Sequence, residues 1–414
     1  METRFPNIRH LIAFREVAET RRIGLASERV HLSQPAITQA IAKLERDIGA
    51  PLFERRPDGM YLSEVGEIFD RRIARVIEHL KLGAQLALRR APRTSPAVGA
   101  REFHKQVTPP QLHALVAIAR AGSYSQAAYE LGATQPAVHR AARELESLAG
   151  TPFFEPSRRG VTLTPSAKAF AHHVRLAAAE LRQAHYEISA FQGRDSTRIW
   201  IGSLPLSRTS ILPTAIDELL VSSGPGLQIR CVDGPYQALL RDLRHGELDF
   251  LIGALRDPPP VGDISQEVLF HDQLVIVGNA SHPLTRASAP TIADTLAFPW
   301  IAPPKDTPSG AYLFQKLKIE DQPQTPVRIV SSSLVLARGL MMRRDYLTIM
   351  SENQFEIERE QGLLASMPVP LPDSTRAIGF TYRSDWRPTP TQSRFLDLIR
   401  AYCRRAYGEG ISSK

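Results

Sequence analysis

The sequence predicts a multi-domain protein: two tandem all-α winged helix-turn-helix units with long linker helices, then a two-lobed α/β domain. Three observations carry this expectation. The stretch at 31–45, HLSQPAITQAIAKLE, returns 101 residues later as GATQPAVHRAARELE. The whole excess of positive over negative charge lies in the half that holds the repeat. From about Thr197 the apolar pattern changes from helical spacing to short β-branched runs with helices between them.

The chain of 414 residues is too long for one compact domain. Residues 1–194 hold 28 Lys and Arg against 19 Asp and Glu, whereas 195–414 hold 23 against 24. A basic half joined to a neutral half points to a polyanion-binding part and a separate sensing or catalytic part. No apolar run is long enough to span a membrane, and METRFPNIRH lacks the apolar core of a signal peptide. A cytoplasmic protein with no membrane partner is expected. Cys231 and Cys403 stand far apart in no metal-type spacing and read as two inert buried thiols.

Each repeat opens with a helix whose apolar residues recur at helical spacing: Ile8, Leu11, Ile12 and Val17, or Leu112, Leu115, Val116 and Ala119. A short helix and a tight turn follow. Ser33 or Thr134 is placed to cap the next helix, and Pro35 or Pro136 suits its first turn. On that helix Ala36, Ile37, Ala40, Ile41 and Leu44 form an apolar stripe, matched by Ala137, Val138, Ala141 and Leu145. The opposite face carries Gln34, Thr38, Gln39 and Lys43, or Gln135, His139, Arg140 and Arg143. Two helices joined by a tight turn, the second polar outside, describe a reader of the DNA major groove.

Two short extended pieces then flank a basic tip, Arg55–Arg56 or Arg158–Arg159, which forms a wing able to touch phosphate. Long amphipathic helices follow at 64–90 and 165–192. Each buries its stripe either on a partner helix or on its own domain. The intervening APRTSPAVGAREFHKQVTPP reads as a linker. The boundaries expected are 1–63 and 107–164 for the two winged units, 64–106 for linker helix and flexible linker, 165–194 for a dimerisation helix, and 195–414 for the last domain.

The strings LSQPAITQAIAKLE, LFERR and YLSEVGE in the first copy, and AGSYSQAAYELGATQPAV, TPFFE and GVTLTP in the second, carry a resemblance to the winged helix-turn-helix of LysR-type bacterial transcription regulators. Typical members have one such domain. Arg21–Arg22 replaces the family's Gly-Ser, which the second copy keeps as Gly122–Ser123, and Pro156 stands where the family has Arg. The two copies are therefore expected either to bind DNA differently or to include one that has lost binding.

In the second half LRHGELDFLIG, VIVGNASHPL, FPWIAPPKDTP and AIGFTYRSDWRPTPTQSRFLDLIR resemble the effector-binding domain of the same family, which is similar to type 2 periplasmic binding proteins. They lean towards the galactose-binding-protein-regulator branch. Alternation of strand and helix predicts largely parallel sheets, with a ligand at strand carboxyl ends. The cleft residues expected are Ser203, Leu204, Pro205, Pro235, Tyr236, Pro303, Pro304, Ser331, Ser332 and Ser333. Hydroxyls and helix N-termini there suit a carboxylate or hydroxyl ligand.

The resemblance implies double-stranded DNA and RNA polymerase as partners, and a homodimer or homotetramer. Its effector would be an aromatic acid, an organic acid or a sugar. No nucleophile elbow, phosphate loop or metal motif occurs, so no enzyme, cofactor or metal is expected, and His172–His173 reads as surface. The competing reading is a constitutive architectural DNA-binding protein whose α/β half only assembles.

Overall fold

A computed structural model describes residues 5–91, 100–158, 160–321 and 326–408. The described residues divide into two compact units at Thr197–Arg198, with His245–Glu247 grouped with the first. No helix among them is long and apolar enough to cross a membrane.

The first unit contains one local arrangement twice. In the first copy α1 (Ile8–Thr20), α2 (Ile23–Val30) and α3 (Gln34–Ile48) precede a hairpin of β1 (Phe53–Arg56) and β2 (Gly59–Leu62), then α4 (Glu64–Arg89). In the second, α5 (Pro109–Ala121), α6 (Tyr124–Leu131) and α7 (Gln135–Ala149) precede β3 (Phe154–Ser157) and β4 (Gly160–Leu163), then α8 (Pro165–Phe191). The expected caps are in place. The Ser33 hydroxyl accepts from the Ala36 amide at 3.3 Å and the Thr134 hydroxyl from the Ala137 amide at 3.4 Å. Each satisfies one amide that the helix start would leave unpaired.

Helices α4 and α8 pack antiparallel on each other. Arg72 meets Glu180 and Glu187, Arg75 meets Glu180, the rings of His79 and His173 lie 5.8 Å apart, and Gly83 faces Phe170 and His173. Position rises along one helix as it falls along the other. A Cβ on Gly83 would stand 2.7 Å from that of His173, so glycine sets how closely the helices approach. Val76 and Ala177 are fully buried between them.

Three expectations change here. The long helices, offered a partner helix or their own domain, take each other within one chain. Both copies consequently share one continuous core, running from Phe5 through Phe69 and Val76 to Phe170 and Ile188, instead of folding as separate domains. Within the stretch read as linker, Ala100–Lys105 forms a 3-10 helix, and Phe103 is buried against Phe153 and Phe170 at ring distances of 6.4 and 4.9 Å. Residues 92–99 of that stretch lie outside the described residues. His173, read as surface, is 8% exposed because it lies in the α4–α8 seam.

The second unit is built on a nine-stranded mixed sheet. One lobe has parallel β5 (Arg198–Ser203), β6 (Gln228–Val232) and β7 (Phe250–Ala254), covered by α9 (Ile211–Val221) and α10 (Tyr236–Arg244). The 16-residue β8 (Ile264–Asn279) leaves it, and α11 (Ile292–Thr295) opens the other lobe. That lobe has parallel β9 (Trp300–Ala302), β10 (Val327–Val330) and β11 (Leu347–Ser351), with α12 (Pro308–Ala311), α13 (Leu334–Met341) and α14 (Glu356–Glu360). The chain returns through β12 (Leu364–Ser366) and β13 (Thr375–Arg383) to α15 (Pro390–Tyr407).

The sheet is not largely parallel, because β13 pairs antiparallel with both β7 and β8, and β8 antiparallel with β11 and β12. These two long strands cross between the lobes, and a connection that goes out and comes back must run antiparallel to itself. Cys403 is buried as expected. Cys231 is exposed, because β6 ends the sheet.

Arg72 and Glu180 are 5% and 6% exposed. Burial works against the charge on Arg72, but Glu187 and Glu180 outweigh it and raise the guanidinium pKa. Arg72→Ala leaves buried Glu180 and half-buried Glu187 short of a cation. It should cost about 3–5 kcal/mol in urea unfolding of the full chain. A loss below about 1 kcal/mol would mean that the pair is solvated.

Candidate functional site

The outward residues of both copies are solvent-facing. Ser33, Gln34, Pro35, Thr38, Gln39 and Lys43 on α3 are exposed, as are Thr134, Gln135, Pro136, His139, Arg140 and Arg143 on α7. Some already have local partners. Thr38 donates to the Gln34 carbonyl at 3.0 Å, the Arg143 guanidinium meets Glu146 at 2.8 Å, and the His139 ring stands edge-on to Tyr124 at 5.0 Å. Gln39 and Lys43 line a surface hollow of about 400 Å³ with His10 and Arg46, which sequence reasoning did not single out. Burial, then the charge of Lys43, lowers the His10 pKa, so the hollow gets its positive charge from Lys43 and Arg46.

Each hairpin hangs from the end of the first helix of its copy by the same contact. The Met60 amide donates to the Arg21 carbonyl and the Val161 amide to the Gly122 carbonyl, both at 2.9 Å. A Cβ on Gly59 would come within 2.8 Å of the first carbonyl and one on Gly160 within 2.5 Å of the second, so only glycine lets the strands sit there. The repeated Leu-Glu also gains a role that its spacing alone did not reveal. Glu45 accepts from the Leu52 amide at 2.8 Å, and Glu146 accepts from the amides of Phe153 and Phe154 at 2.8 and 3.0 Å. Each carboxylate ties the end of the outward-facing helix to the start of its wing.

The wings differ. Arg55 and Arg56 are exposed on β1. Arg56 pairs with Glu54 at 2.9 Å and stacks over Tyr61, which also underlies Arg21 at 4.8 Å. Arg21 thus has a physical account. It ends α1 in the left-handed region, at φ 58°, where the second copy has Gly122 at φ 65°, and its guanidinium is held by Tyr61. In the second copy Pro156 and Ser157 occupy β3, and Arg158 is exposed in the turn. Arg159 lies outside the described residues.

The expected cleft residues of the second unit lie at strand ends and helix starts in both lobes. Ser203 is 2% exposed and its hydroxyl accepts from Arg208 at 3.1 Å, with Leu204 and Pro205 leading into the next turn. The Pro235 carbonyl accepts from the amides of Ala238 and Leu239 and so starts α10. Pro303 and Pro304 follow β9, and the Pro304 carbonyl accepts from the Thr307 hydroxyl at 2.7 Å. Ser331 accepts from the Ser333 amide at 3.1 Å, Ser333 caps α13 through the Leu336 amide, and Ser332 is exposed.

Tyr236 joins a charged cluster that sequence reasoning missed. The Arg256 guanidinium lies 4.2 Å over its ring. Across the lobe-crossing strands Arg376 pairs with Asp272 at 3.2 Å and donates to Ser309 of α12 at 3.0 Å. Asp272 in turn accepts from Ser351 at 2.6 Å and Asn353 at 3.1 Å. Burial, with the like charge of Arg376, lowers the Arg256 pKa, opposed by Tyr236 and Asp306. Burial raises that of Asp272 against the pull of Arg376. The Tyr236 hydroxyl is buried with no hydrogen-bond partner. Two guanidiniums stand with two carboxylates, Asp272 paired to Arg376 and Asp306 acting on Arg256, with the Tyr236 hydroxyl to spare.

Comparison with known proteins agrees on both halves. The model described as "Bacterial regulatory helix-turn-helix protein, lysR family" matches twice, at residues 8–67 and 110–168, and the LysR substrate binding domain matches residues 192–404. The HTH-type transcriptional regulator GalR of Pseudomonas putida is 30% identical over 400 residues, covering 97% of this chain and 98% of its own. PcaQ of Agrobacterium fabrum is 29% identical over 289 residues, 70% of this chain and 93% of its own. Full-length OxyR from Pseudomonas aeruginosa shares the fold with a TM-score of 0.52 at 19% identity, over 74% of this chain and 98% of that one.

Glu146→Ala should free the wing of the second copy. Two amides lose a charged acceptor, worth about 1.5–3 kcal/mol, and amide hydrogen exchange at 153–163 should quicken while that of α5 stays slow. Unchanged exchange in the hairpin would remove the tie assigned to Glu146.

Proposed function

The chain belongs to the LysR family of DNA-binding transcription regulators, and we propose that both of its helix-turn-helix copies read DNA under the control of an anionic small molecule held in the second unit. The observation that carries the first part is the paired outward face. Two helices with the same cap, the same first-turn proline and the same buried stripe present different exposed side chains: Thr38, Gln39 and Lys43 against His139, Arg140 and Arg143. Gln and Arg on such a face suit base edges, whereas Arg55, Arg56 and Arg158 on the wings suit phosphate.

Arg256, Arg376 and the unpartnered Tyr236 hydroxyl support a carboxylate-bearing effector. Arg376 of β13 is bound by Asp272 of β8 and by Ser309 of the second lobe, and Arg256 leans on the first lobe through Tyr236. An anion between the two guanidiniums would favour one lobe arrangement over another, and linkage then converts that preference into altered DNA affinity. The reading is of binding without turnover, in the cytoplasm, with RNA polymerase as the downstream partner. The architectural alternative has no use for two guanidiniums set beside an unpartnered hydroxyl.

Affinity for DNA should fall steeply with salt as phosphate contacts release counterions, and a 198–408 fragment should bind no duplex. Gln39→Ala and Arg140→Ala should relax base preference by about 1–3 kcal/mol, and Arg55→Ala should weaken cognate and scrambled duplexes alike. Fluorescence anisotropy on both duplexes separates these outcomes. Equal losses for Arg140→Ala on the two would end its reading role.

A thermal-shift screen of aromatic and aliphatic carboxylates should find ligands that stabilise the full chain. Arg256→Ala should abolish that shift and leave basal DNA binding within about twofold of the parent. A retained shift would place the ligand elsewhere.

A further inference from the structure

The α4–α8 seam has an internal symmetry. At the repeat offset of 101 residues, Arg72 corresponds to His173 and His79 to Glu180. The pair Arg72–Glu180, 2.9 Å apart, therefore maps onto the pair His173–His79, whose rings are 5.8 Å apart. Val76 corresponds to Ala177, and the two lie buried in the middle of the seam. Contacts that come in such exchanged couples define a two-fold axis, the arrangement that relates two subunits across an isologous interface. Here the axis lies inside one polypeptide. The packing stripes of both long helices are spent on each other, since Phe69, Ile73, Val76, Leu80, Ala177 and Leu181 all belong to the shared core.

We propose that a single chain is a complete bipartite DNA reader, which binds two unlike half-sites in inverted orientation without a second chain. This rests on both copies reading DNA, as proposed above. A two-fold-related pair of recognition helices reads inverted half-sites about one duplex turn, 34–36 Å, apart. In a symmetric pair of chains the half-sites match because the readers are identical. In this chain the axis relates Gln39 to Arg140 and Thr38 to His139, so the half-sites differ and the operator is not a palindrome. The asymmetry reaches the seam itself, where an ion-pair cluster on one side of the axis faces two histidines on the other. Any association of chains through the second unit multiplies complete readers; it does not assemble one.

The test selects duplexes from a random-sequence library with the full-length chain and then counts chains on a short selected duplex by native mass spectrometry. The expected result is two unlike inverted half-sites and one chain per duplex. A dimer formed through the second units would still keep that ratio, by holding two duplexes. Inserting five base pairs between the half-sites turns one away from its reader and should weaken binding by about 100-fold. The exposed triple variant H139T/R140Q/R143A should draw the second half-site towards the first while the count stays at one.

Two chains on one palindromic duplex would overturn the inference and leave double reading untouched. One chain on a lone half-site, indifferent to the insertion, would overturn double reading and the inference with it.

Discussion

The packing of α4 against α8 is the constraint from which the rest of the first unit follows. Each helix carries an apolar stripe too wide for its own small domain to cover, and each finds the other within the same chain. Arg72 fixes the register, because its guanidinium is buried and Glu180 and Glu187 supply matching charge. Gly83 fixes the separation by admitting His173 and Phe170. A slip along the seam would bury a cation without its partners and place a Cβ against a ring. Such penalties specify one arrangement, although a buried ion pair contributes little net stability by itself.

From that seam the outward-facing helices are placed by short-range chemistry. The Phe14 ring packs on Phe69 of α4 at 5.1 Å, which holds α1 to the seam, and Ser63 and Thr164 each cap a long helix while bonding the carbonyl of Pro51 or Pro152. Glu45 and Glu146 then tie the outward-facing helix to its wing. In the second unit the same economy appears at the crossing strands. Asp272 and Arg376 sit opposite each other in register, where any movement between the lobes must act on them.

Much of this was legible in the residues, and what was not has definite physical reasons. Ser33, Thr134, Pro35 and Pro136 announce their helix starts because capping is a matter of a few consecutive residues. The stripe on α4 shows that a helix will be covered, but amphipathicity carries no address, so the sequence did not reveal that its cover is α8. Phe103 was hidden in a stretch rich in proline and small residues, where one buried ring outweighs composition. Arg256 and Arg376 were missed because single arginines more than a hundred residues apart have no pattern; only the antiparallel return of β13 brings them together. Ser331 and Ser333 were legible as helix-opening residues, and their hydroxyls are engaged by local amides.

The pairing of α4 with α8 inside one chain is open to a direct measurement. Lys81 and Lys168 are exposed near the end of the seam where Gly83 meets Phe170, within reach of an amine-reactive cross-linker. Equal amounts of ¹⁴N- and ¹⁵N-labelled full-length protein are unfolded together, refolded and cross-linked, and the Lys81–Lys168 peptide pair is examined by mass spectrometry. Pairing within a chain gives only uniformly light and uniformly heavy pairs. Pairing between chains gives light–heavy hybrids as half of the product, and their appearance would contradict the account.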